Sequence, residues 1–277
     1  MSRFFPRSTV VTTLATVALS LSAIAADAGA WAARHGMSPA QYQNTFNDYT
    51  SKGYRLTDIS AYTVAGKQRY AAIWEKRAGS PWVARHGMSA NGYQSTFDQY
   101  TSQGFAPFMV DGMGSGKGKF AALWAKTPRP WVARHGLSSS AYQAEFNKWV
   151  GQGYRLIDVS GYAVGGKARY AAIWMKGGGQ WKARHGMTSA KYQAAVDQYK
   201  AQGYRPAQVD GYTVNGRPYF AAIWTKGGKS AWVARHGLTG AAYQAEFNKW
   251  TAQGYKLTDV SGYSQGGQAR YIAIWEK

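Results

Sequence analysis

Hydrophobic positions near the start of the chain follow a helical spacing that ends at a glycine. Tyr42, Phe46 and Tyr49 recur at intervals of four and three residues, which places their side chains on one face of a helix. Ser38 offers an oxygen for the free amides at the start of that helix, and the proline after it suits the first helical position. Gly53 comes four residues after Tyr49, where a left-handed cap needs no side chain. The pattern predicts a helix that begins after Ser38 and ends before Gly53.

The segments on either side of this helix have the character of strands. Residues 31–34 are short and apolar, which indicates a strand before the helix. Residues 54–64 and 69–76 are two further candidate strands, and residues 65–67 between them contain the glycine of a turn. Because so short a turn joins the two strands, we predict a β-hairpin. One unit is therefore strand, helix, strand, strand.

This order of elements recurs five times, at intervals of about fifty residues. Each copy opens with Trp-x-Ala-Arg-His-Gly and closes with Ala-x-Trp. We place the copies at residues 31–76, 82–126, 131–176, 181–226 and 232–277, within a single array over residues 26–277. A fixed period of this size is typical of arrays and propellers, whose units are too small to bury their apolar faces alone.

The predicted fold is an α+β tandem repeat of five β-α-β-β units with antiparallel sheets and one helix per unit, in a propeller-like or arc-shaped assembly. Copies 1, 3 and 5 carry Asp-x-Ser at Asp58, Asp158 and Asp259, whereas copies 2 and 4 shift the acid to Asp111 and Asp210. A closed ring of five places two copies of the odd type side by side. The alternation therefore favours an open arc, although duplication history alone also produces it.

Residues 1–25 have the pattern of a cleavable export signal. They contain Arg3 and Arg7, an apolar stretch over residues 10–24 that is diluted by Thr and Ser, and an Ala-Ile-Ala end. The stretch falls short of the roughly 20 apolar residues that a membrane anchor needs. We expect a secreted or periplasmic protein that begins near Ala26 and has no membrane span.

The composition is strongly basic and lacks cysteine. The chain has 33 Lys and Arg against 13 Asp and Glu, and removal of the two arginines of the signal leaves 31 against 13, a net charge of +18. This balance favours anionic partners and says nothing about chemistry. The absence of Cys excludes thiol catalysis, disulfides and cysteine-ligated zinc, so stability must come from packing of the aromatic residues, which make up 15% of the chain.

The Arg-His-Gly motif is the one sequence feature with obvious chemical character, and it contains every histidine of the chain. The pairs are Arg34 and His35, Arg85 and His86, Arg134 and His135, Arg184 and His185, and Arg235 and His236. Arg-His-Gly after a strand resembles the signature of histidine phosphatases, in which the imidazole takes the phosphoryl group and the arginine clamps its oxygens. That chemistry also needs a second histidine, which here would come from another copy.

Two other interpretations of the motif stay open. In the structural one, the arginine lies on a neighbouring aromatic ring and the imidazole bonds to the backbone near the helix start. In the functional one, each copy or junction holds a ligand site where Arg and His meet an anion beside an aromatic platform, helped by amides at the helix start. Fivefold repetition suits both.

The aromatic residues of the two hairpin strands divide into core and ligand candidates. The closing strands, such as Tyr-Ala-Ala-Ile-Trp at residues 70–74, favour core packing because small alanines allow sheets to approach closely. The tyrosines of the other strand are the better ligand candidates: Tyr62, Tyr162, Tyr212 and Tyr263. Copy 2 has Met113 at this position, so a site there would be degraded.

No other catalytic or cofactor signature is found. No copy has two histidines, or a histidine and an acid, at ligand spacing on one element, so we predict neither a metal nor a cofactor. A Ser-x-x-Lys pair of the β-lactamase type, a Gly-x-Ser-x-Gly elbow and a phosphate-cradling glycine loop are all absent. We assign no catalytic residue.

The whole repeat, from Arg-His-Gly through Tyr-Gln and Gly-Tyr-Arg to Tyr-Ala-Ala-Ile-Trp, resembles a bacterial tandem repeat domain found beside β-lactamase-like serine hydrolases. It is also similar to the amino-terminal repeats of secreted fungal polyglycine hydrolases. The resemblance covers residues 31–277. It implies small propeller-like sheets in a non-catalytic accessory part, with the active serine in a separate domain that this sequence does not contain.

We therefore expect an exported, non-catalytic repeat protein of the cell envelope that binds an anionic polymer, or a cell-wall glycan or peptide, through repeated weak sites. The alternatives are a hydrolase that uses the histidine motif and an accessory module that docks a separate secreted serine hydrolase. We expect a monomer without a specific nucleic-acid target.

Overall fold

The computed structural model describes residues 30–114, 118–228 and 230–277, so the predicted export signal lies outside the described residues. All five units have the predicted order of strand, helix, strand, strand. The helices are α1 (Pro39–Ser51), α2 (Ala90–Ser102), α3 (Ser139–Gly151), α4 (Ser189–Ala201) and α5 (Gly240–Ala252). The strands are β1 (Trp31–Met37), β2 (Arg55–Val64), β3 (Lys67–Glu75), β4 (Trp82–Ser89), β5 (Phe105–Met113), β6 (Lys119–Lys126), β7 (Trp131–Leu137), β8 (Tyr154–Val164), β9 (Lys167–Lys176), β10 (Trp181–Met187), β11 (Tyr204–Val214), β12 (Arg217–Lys226), β13 (Trp232–Leu238), β14 (Lys256–Gln265) and β15 (Gln268–Glu276).

The ends of each helix are set by local side chains, as predicted. In unit 1 the Ser38 hydroxyl accepts from the amide of Gln41 at 3.3 Å, and the Gln41 side chain accepts from the Ser38 amide at 2.8 Å. This capping box satisfies two amides that the helix itself leaves free. Gly53 ends the unit-1 helix region with φ of +80°, a conformation that favours glycine. The predicted limits of this helix are confirmed.

The predicted hairpin is also confirmed. In unit 1, β2 and β3 pair as antiparallel neighbours, and the two residues between them, Ala65 and Gly66, have φ of +47° and +75°. Two consecutive positive φ values define the type I′ turn, whose twist matches that of paired strands. The Gly165-Gly166, Asn215-Gly216 and Gly266-Gly267 pairs have the same signs.

Each unit is a three-stranded antiparallel sheet with the third strand in the centre and the first at one edge. The register of β1 against β3 shifts between Arg34 and Met37, where Gly36 has φ of +67°. The same shift occurs beside the motif glycine in every unit. The glycine of Arg-His-Gly is therefore explained by a β-bulge, which needs a residue that tolerates a positive φ.

The five sheets form a closed ring around an axis lined by the second strands. Neighbouring second strands contact each other all the way round, and β14 of unit 5 contacts β2 of unit 1. At that seam the amide of Val260 donates to the Asp58 carboxylate at 2.9 Å and the amide of Gly262 donates to the Ser60 hydroxyl at 3.0 Å. The assembly is therefore propeller-like and closed, and the open arc that the alternation favoured is wrong.

The hydrophobic core lies in the wedges between neighbouring sheets. The helix of each unit packs on its own sheet and fills the wedge toward the next unit. Tyr42, only 1% exposed, stacks on Tyr70 of its own unit and meets His86 of the next unit edge-on at a centroid distance of 4.6 Å. Each unit thus completes the core of its neighbour, as expected for units too small to be stable alone.

Candidate functional site

The motif arginines lie on aromatic rings of their own unit. The guanidinium carbon of Arg134 is 5.6 Å from the centre of the Trp149 ring, and the other four arginines lie 5.2–5.6 Å from a Tyr or Trp at the same helix position. In units 3 and 5, Glu145 and Glu246 also approach the Nε atoms of Arg134 and Arg235 at 3.3 and 3.5 Å. Both guanidinium groups stay close to half exposed, so each still presents charge to solvent.

The motif histidines pack against the preceding unit, whereas the motif arginines pack on rings of their own unit. His135 of unit 3 meets Tyr93 and Phe120 of unit 2 edge-on, at centroid distances of 4.9 and 5.6 Å. The same two positions of the preceding unit receive His35, His86, His185 and His236. Each imidazole therefore fills a gap between two aromatic rings, which stabilises the junction.

Burial makes these imidazoles poor bases. It lowers the pKa of His35 to about 4, with the neighbouring Arg34 as a second cause, and it lowers the pKa of the other four histidines as well. The Nε2 atoms of His185 and His236 are 3.1 and 2.9 Å from the hydroxyls of Ser139 and Ser189 at the helix starts of the preceding units. Neutral rings that pack and bond locally suit a joint between units.

Two junctions carry open pockets that combine the motif with aromatic side chains. Between units 2 and 3, Tyr93, Gln94 and Phe97 of α2 face residues 131–135 of β7 across a cavity of about 450 Å³. Between units 4 and 5, α4 faces residues 232–236 of β13 across a cavity of about 470 Å³, with Lys200 on its wall. The structure thus brings Arg134, His135, Arg235 and His236 to pockets of ligand size.

The four candidate tyrosines lie in the ring interior and not at the pockets. Tyr62, Tyr162, Tyr212 and Tyr263 are each between 2% and 5% exposed. The Tyr62 and Tyr162 hydroxyls accept from the amides of the motif glycines of their own units, at 3.2 and 2.9 Å. The tyrosine rings lie against a glycine of the preceding unit, so close that a Cβ on Gly161 would be 2.4 Å from Tyr212. Their faces are covered by protein, and we leave them out of the proposed site.

The family of the chain is decided by a match to every unit. The model of the polyglycine hydrolase-like structural repeat matches residues 28–77, 79–127, 128–177, 178–227 and 229–277. The chain belongs to this family. Its description names a structural repeat, which agrees with the packing of the motif histidines at the junctions. No curated protein matches the chain.

In this array of structural repeats, buried acids bond the sheets to one another around the axis. Asp158 accepts from the amide of Val110 at 2.8 Å and Ser160 from that of Gly112 at 3.0 Å, both across the junction between units 2 and 3. The even units use the shifted acid instead: Asp210 accepts from the amide of Gly161 at 2.6 Å. In unit 3, Asp158 and Ser160 thus satisfy two amides of the preceding unit, whereas in unit 4 Asp210 satisfies only the amide that is equivalent to Gly112.

Burial raises the pKa of these five carboxyls. The pKa of Asp58 and that of Asp210 rise to about 7, and those of Asp111, Asp158 and Asp259 rise well above the ordinary range, chiefly because the charged form loses water. Repulsion from neighbouring acids adds to the rise at Asp58, Asp111, Asp158 and Asp259. One end of the axis opens as a cavity of only about 40 Å³, lined in part by Asp111, Asp210 and the four tyrosines. That volume suits water and excludes a sugar.

Two further features are absent from the described residues of the structural repeats. Within residues 30–114, 118–228 and 230–277, no three or more His, Asp and Glu side chains converge as a metal site would require. No helix in the same ranges is long and apolar enough to cross a membrane.

Sequence reasoning missed the lysine that closes each repeat. Lys176 donates to the carbonyl of Gln152 at the helix end at 2.6 Å and lies 5.1 Å from the centre of the Tyr154 ring. Lys126 does the same with Gln103 and Phe105. The signal was present as a lysine two residues after each closing tryptophan. Part of the basic charge therefore stabilises helix ends and is not free for a ligand.

Proposed function

We propose that this protein is an exported, non-catalytic repeat protein that attaches to an anionic or glycan-bearing surface through sites at its unit junctions. The observation that carries the proposal is the pair of pockets of about 450 and 470 Å³, each lined by a motif Arg-His pair and by aromatic side chains. Export is supported by the pattern of residues 1–25, and amino-terminal sequencing of protein recovered outside the cytoplasm tests it.

The pocket between units 2 and 3 offers three kinds of contact. The half-exposed guanidinium of Arg134 supplies charge, and its planar fork suits carboxylate and phosphate oxygens. The half-buried rings of Phe97 and Trp131 supply apolar surface, as sugar rings and acyl chains require, and the buried Tyr93 supports them from behind. The neutral His135 adds a wall of the pocket and no charge, because burial lowers its pKa.

Repetition converts weak sites into strong attachment. The net charge of +18 in the array attracts any polyanion and makes the attachment depend on salt. Two or more pockets on one rigid ring that engage one surface bind together, since the second contact is intramolecular; such avidity exceeds single-site affinity by about 100-fold or more. The proposed sites therefore need only millimolar affinity each.

The hydrolase interpretation of the motif finds no support in the geometry. Each junction places one imidazole between tyrosine or phenylalanine rings of the preceding unit, as at Tyr93 and Phe120. A phosphoryl-transfer site needs a nucleophilic imidazole with a second histidine and an acid around the same phosphate. We therefore do not propose catalysis at the motif.

The test is co-sedimentation of the mature chain with purified cell-wall sacculi across a salt series. The test variant is R134Q/R235Q, which removes the charge at both pockets, and the control is K67Q/K167Q, which removes equal charge at two exposed hairpin tips. We expect the pocket variant to lose retention at lower salt than the control. Equal behaviour of the two variants would leave only non-specific attraction and contradict the proposal.

A further inference from the structure

The outer edge of unit 4 differs from those of the other units. In units 1, 2, 3 and 5 the Nη1 atom of the motif arginine donates to the carbonyl of the preceding alanine, at 2.8–3.0 Å. In unit 4 the guanidinium of Arg184 turns away and donates to the Tyr199 hydroxyl at 2.8 Å and to the Gln198 side chain at 3.2 Å. The carbonyl of Ala183 receives no such bond within the described part of the chain.

The free backbone groups of this edge point outward. The amide of Lys226 donates to the carbonyl of Gln180 at 2.8 Å, so residues 180, 182 and 184 bond to the central strand β12. In an antiparallel pair the intervening residues direct both backbone groups to the other side. Trp181 and Ala183 therefore present amides and carbonyls away from the sheet, and β10 has no strand beyond it in its sheet. Such an edge is a template for another strand.

The charge of this edge is also particular to unit 4. Lys182 stands where units 2, 3 and 5 have Val83, Val132 and Val233. Lys182 and Arg184 are two residues apart, so their side chains share one face of the strand, and both are exposed. Neither forms an ion pair within the described residues. A second copy of the chain would bring the same cations opposite each other, which disfavours self-pairing.

We propose that the outer edge of β10 binds an extended acidic peptide by strand addition. The backbone groups of Trp181 and Ala183 pair with the peptide, and carboxylates at alternate peptide positions lie opposite Lys182 and Arg184. Main-chain bonds supply the affinity, and the spacing of the acids supplies the selectivity. The site goes beyond the proposed surface attachment, because it lies on one unit and on the strand edge, outside the two junction pockets.

The test uses the mature chain and a fluorescein-labelled peptide of alternating Glu and Thr, with fluorescence anisotropy at about 150 mM NaCl, where surface charges are screened within about 8 Å. The test variant is Ala183→Pro, which removes an outward amide; proline is tolerated on edge strands at such positions. The control is Ala133→Pro, the same change on the capped edge of unit 3. We expect Ala183→Pro to weaken binding at least tenfold and Ala133→Pro to leave it unchanged.

Three results would overturn the proposal: equal affinity in Ala183→Pro and the unaltered chain, an equal loss in Ala133→Pro, or equal binding of a peptide with the same charge and prolines at alternate positions. Lys182→Val, which installs the residue of units 2, 3 and 5, keeps the test valid if Ala183→Pro does not fold, and it must weaken binding several-fold. Retention of Ala183→Pro on sacculi stays unchanged if the junction pockets act as proposed, so the two proposals fail separately.

Discussion

Substituting two residues at the junction between units 1 and 2 tests how closely the side chains of neighbouring units fit each other in the ring interior. At the other four junctions a tyrosine packs against a glycine of the preceding unit: Tyr162 on Gly112, Tyr212 on Gly161, Tyr263 on Gly211 and Tyr62 on Gly262. At the junction between units 1 and 2 the corresponding pair is Met113 and Ala61, in one apolar cluster. This junction therefore has an alanine in place of the glycine and a methionine in place of the tyrosine.

The magnitudes follow from the distances. A Cβ on any of the four glycines would lie 2.3–2.6 Å from a tyrosine ring carbon, well inside van der Waals contact. We expect Met113→Tyr alone, against the Ala61 methyl group, to destabilise by about 1–3 kcal/mol. Ala61→Gly alone removes packing against Met113 and frees the unfolded chain, which costs about 1 kcal/mol.

The double variant removes the clash and restores hydrogen bonds. The Tyr70 hydroxyl is buried without a partner in the described residues, whereas the equivalent Tyr271 and Tyr170 hydroxyls bond to Tyr62 and Tyr212 at 2.8 and 2.7 Å. A tyrosine at position 113 would supply that partner, worth about 1 kcal/mol. We expect the double variant to match or exceed the stability of the unaltered chain, with a coupling of about 2–3 kcal/mol.

Equilibrium unfolding in guanidinium, followed by fluorescence and circular dichroism with coincident transitions, measures this cycle. The control combines Ala61→Gly with Lys176→Met, whose side chain contacts Gln152 and Tyr154 at a helix end of unit 3, and is expected to be additive. A coupling below about 0.5 kcal/mol between positions 61 and 113 would refute the reasoning, since independent sites add within that limit.

Three further predictions concern the acids, the seam and the helix ends. Because burial raises the pKa of Asp210 to about 7 from an ordinary 3.8, the stability that its neutral form contributes is full below about pH 4 and is lost as the pH rises through 7. The free energy of unfolding should therefore fall by on the order of 3 kcal/mol between pH 5 and pH 8, and Asp210→Asn should reduce that fall. A free energy of unfolding that rises toward pH 8 would contradict this prediction. Gly262→Ala places a methyl group 2.3 Å from Tyr62 at the seam and should lower the free energy of unfolding by about 3 kcal/mol, whereas Gly266→Ala, in an open turn with φ of +58°, should lower it by about 1 kcal/mol; equal losses would argue against tight closure. Lys176→Met removes the bond to the Gln152 carbonyl and should cost about 1 kcal/mol in denaturant unfolding, against less than about 0.5 kcal/mol for Lys167→Met at an exposed hairpin tip.

Local signals carried most of the fold prediction. Ser38 and Gly53 bound the first helix through hydrogen bonds and a backbone angle that involve only nearby residues, so the sequence pattern was sufficient. Ring closure depends on contacts about 200 residues apart, and there the odd-type units 5 and 1 meet. Two odd-type units can be neighbours because Asp58 and Ser60 of unit 1 bond to backbone amides of unit 5, and every unit has such amides regardless of its type.

The site was predicted less completely, for a similar reason. The repeat was sufficient to predict that the motif lies close to aromatic residues. It did not predict that the two side chains of one motif pack on different units, Arg134 on its own helix and His135 on the preceding unit. The tyrosine series could not be assigned to interior or surface without knowing what covers it. A signal existed in the glycine before each of Tyr162, Tyr212 and Tyr263, because that glycine receives the tyrosine of the next unit.

The closed ring has a consequence for circular permutation and for the order of folding. Four junctions join segments about 50 residues apart, whereas the bond between Val260 and Asp58 spans 202. Loop-closure entropy makes that junction about 1.3 kcal/mol harder to form than the others. A permuted chain that begins at residue 180, with residue 277 joined to residue 30 by a short linker, would contain the same five junctions. It would transfer the slow, long-range closure to the junction between units 3 and 4 and leave the final ring unchanged.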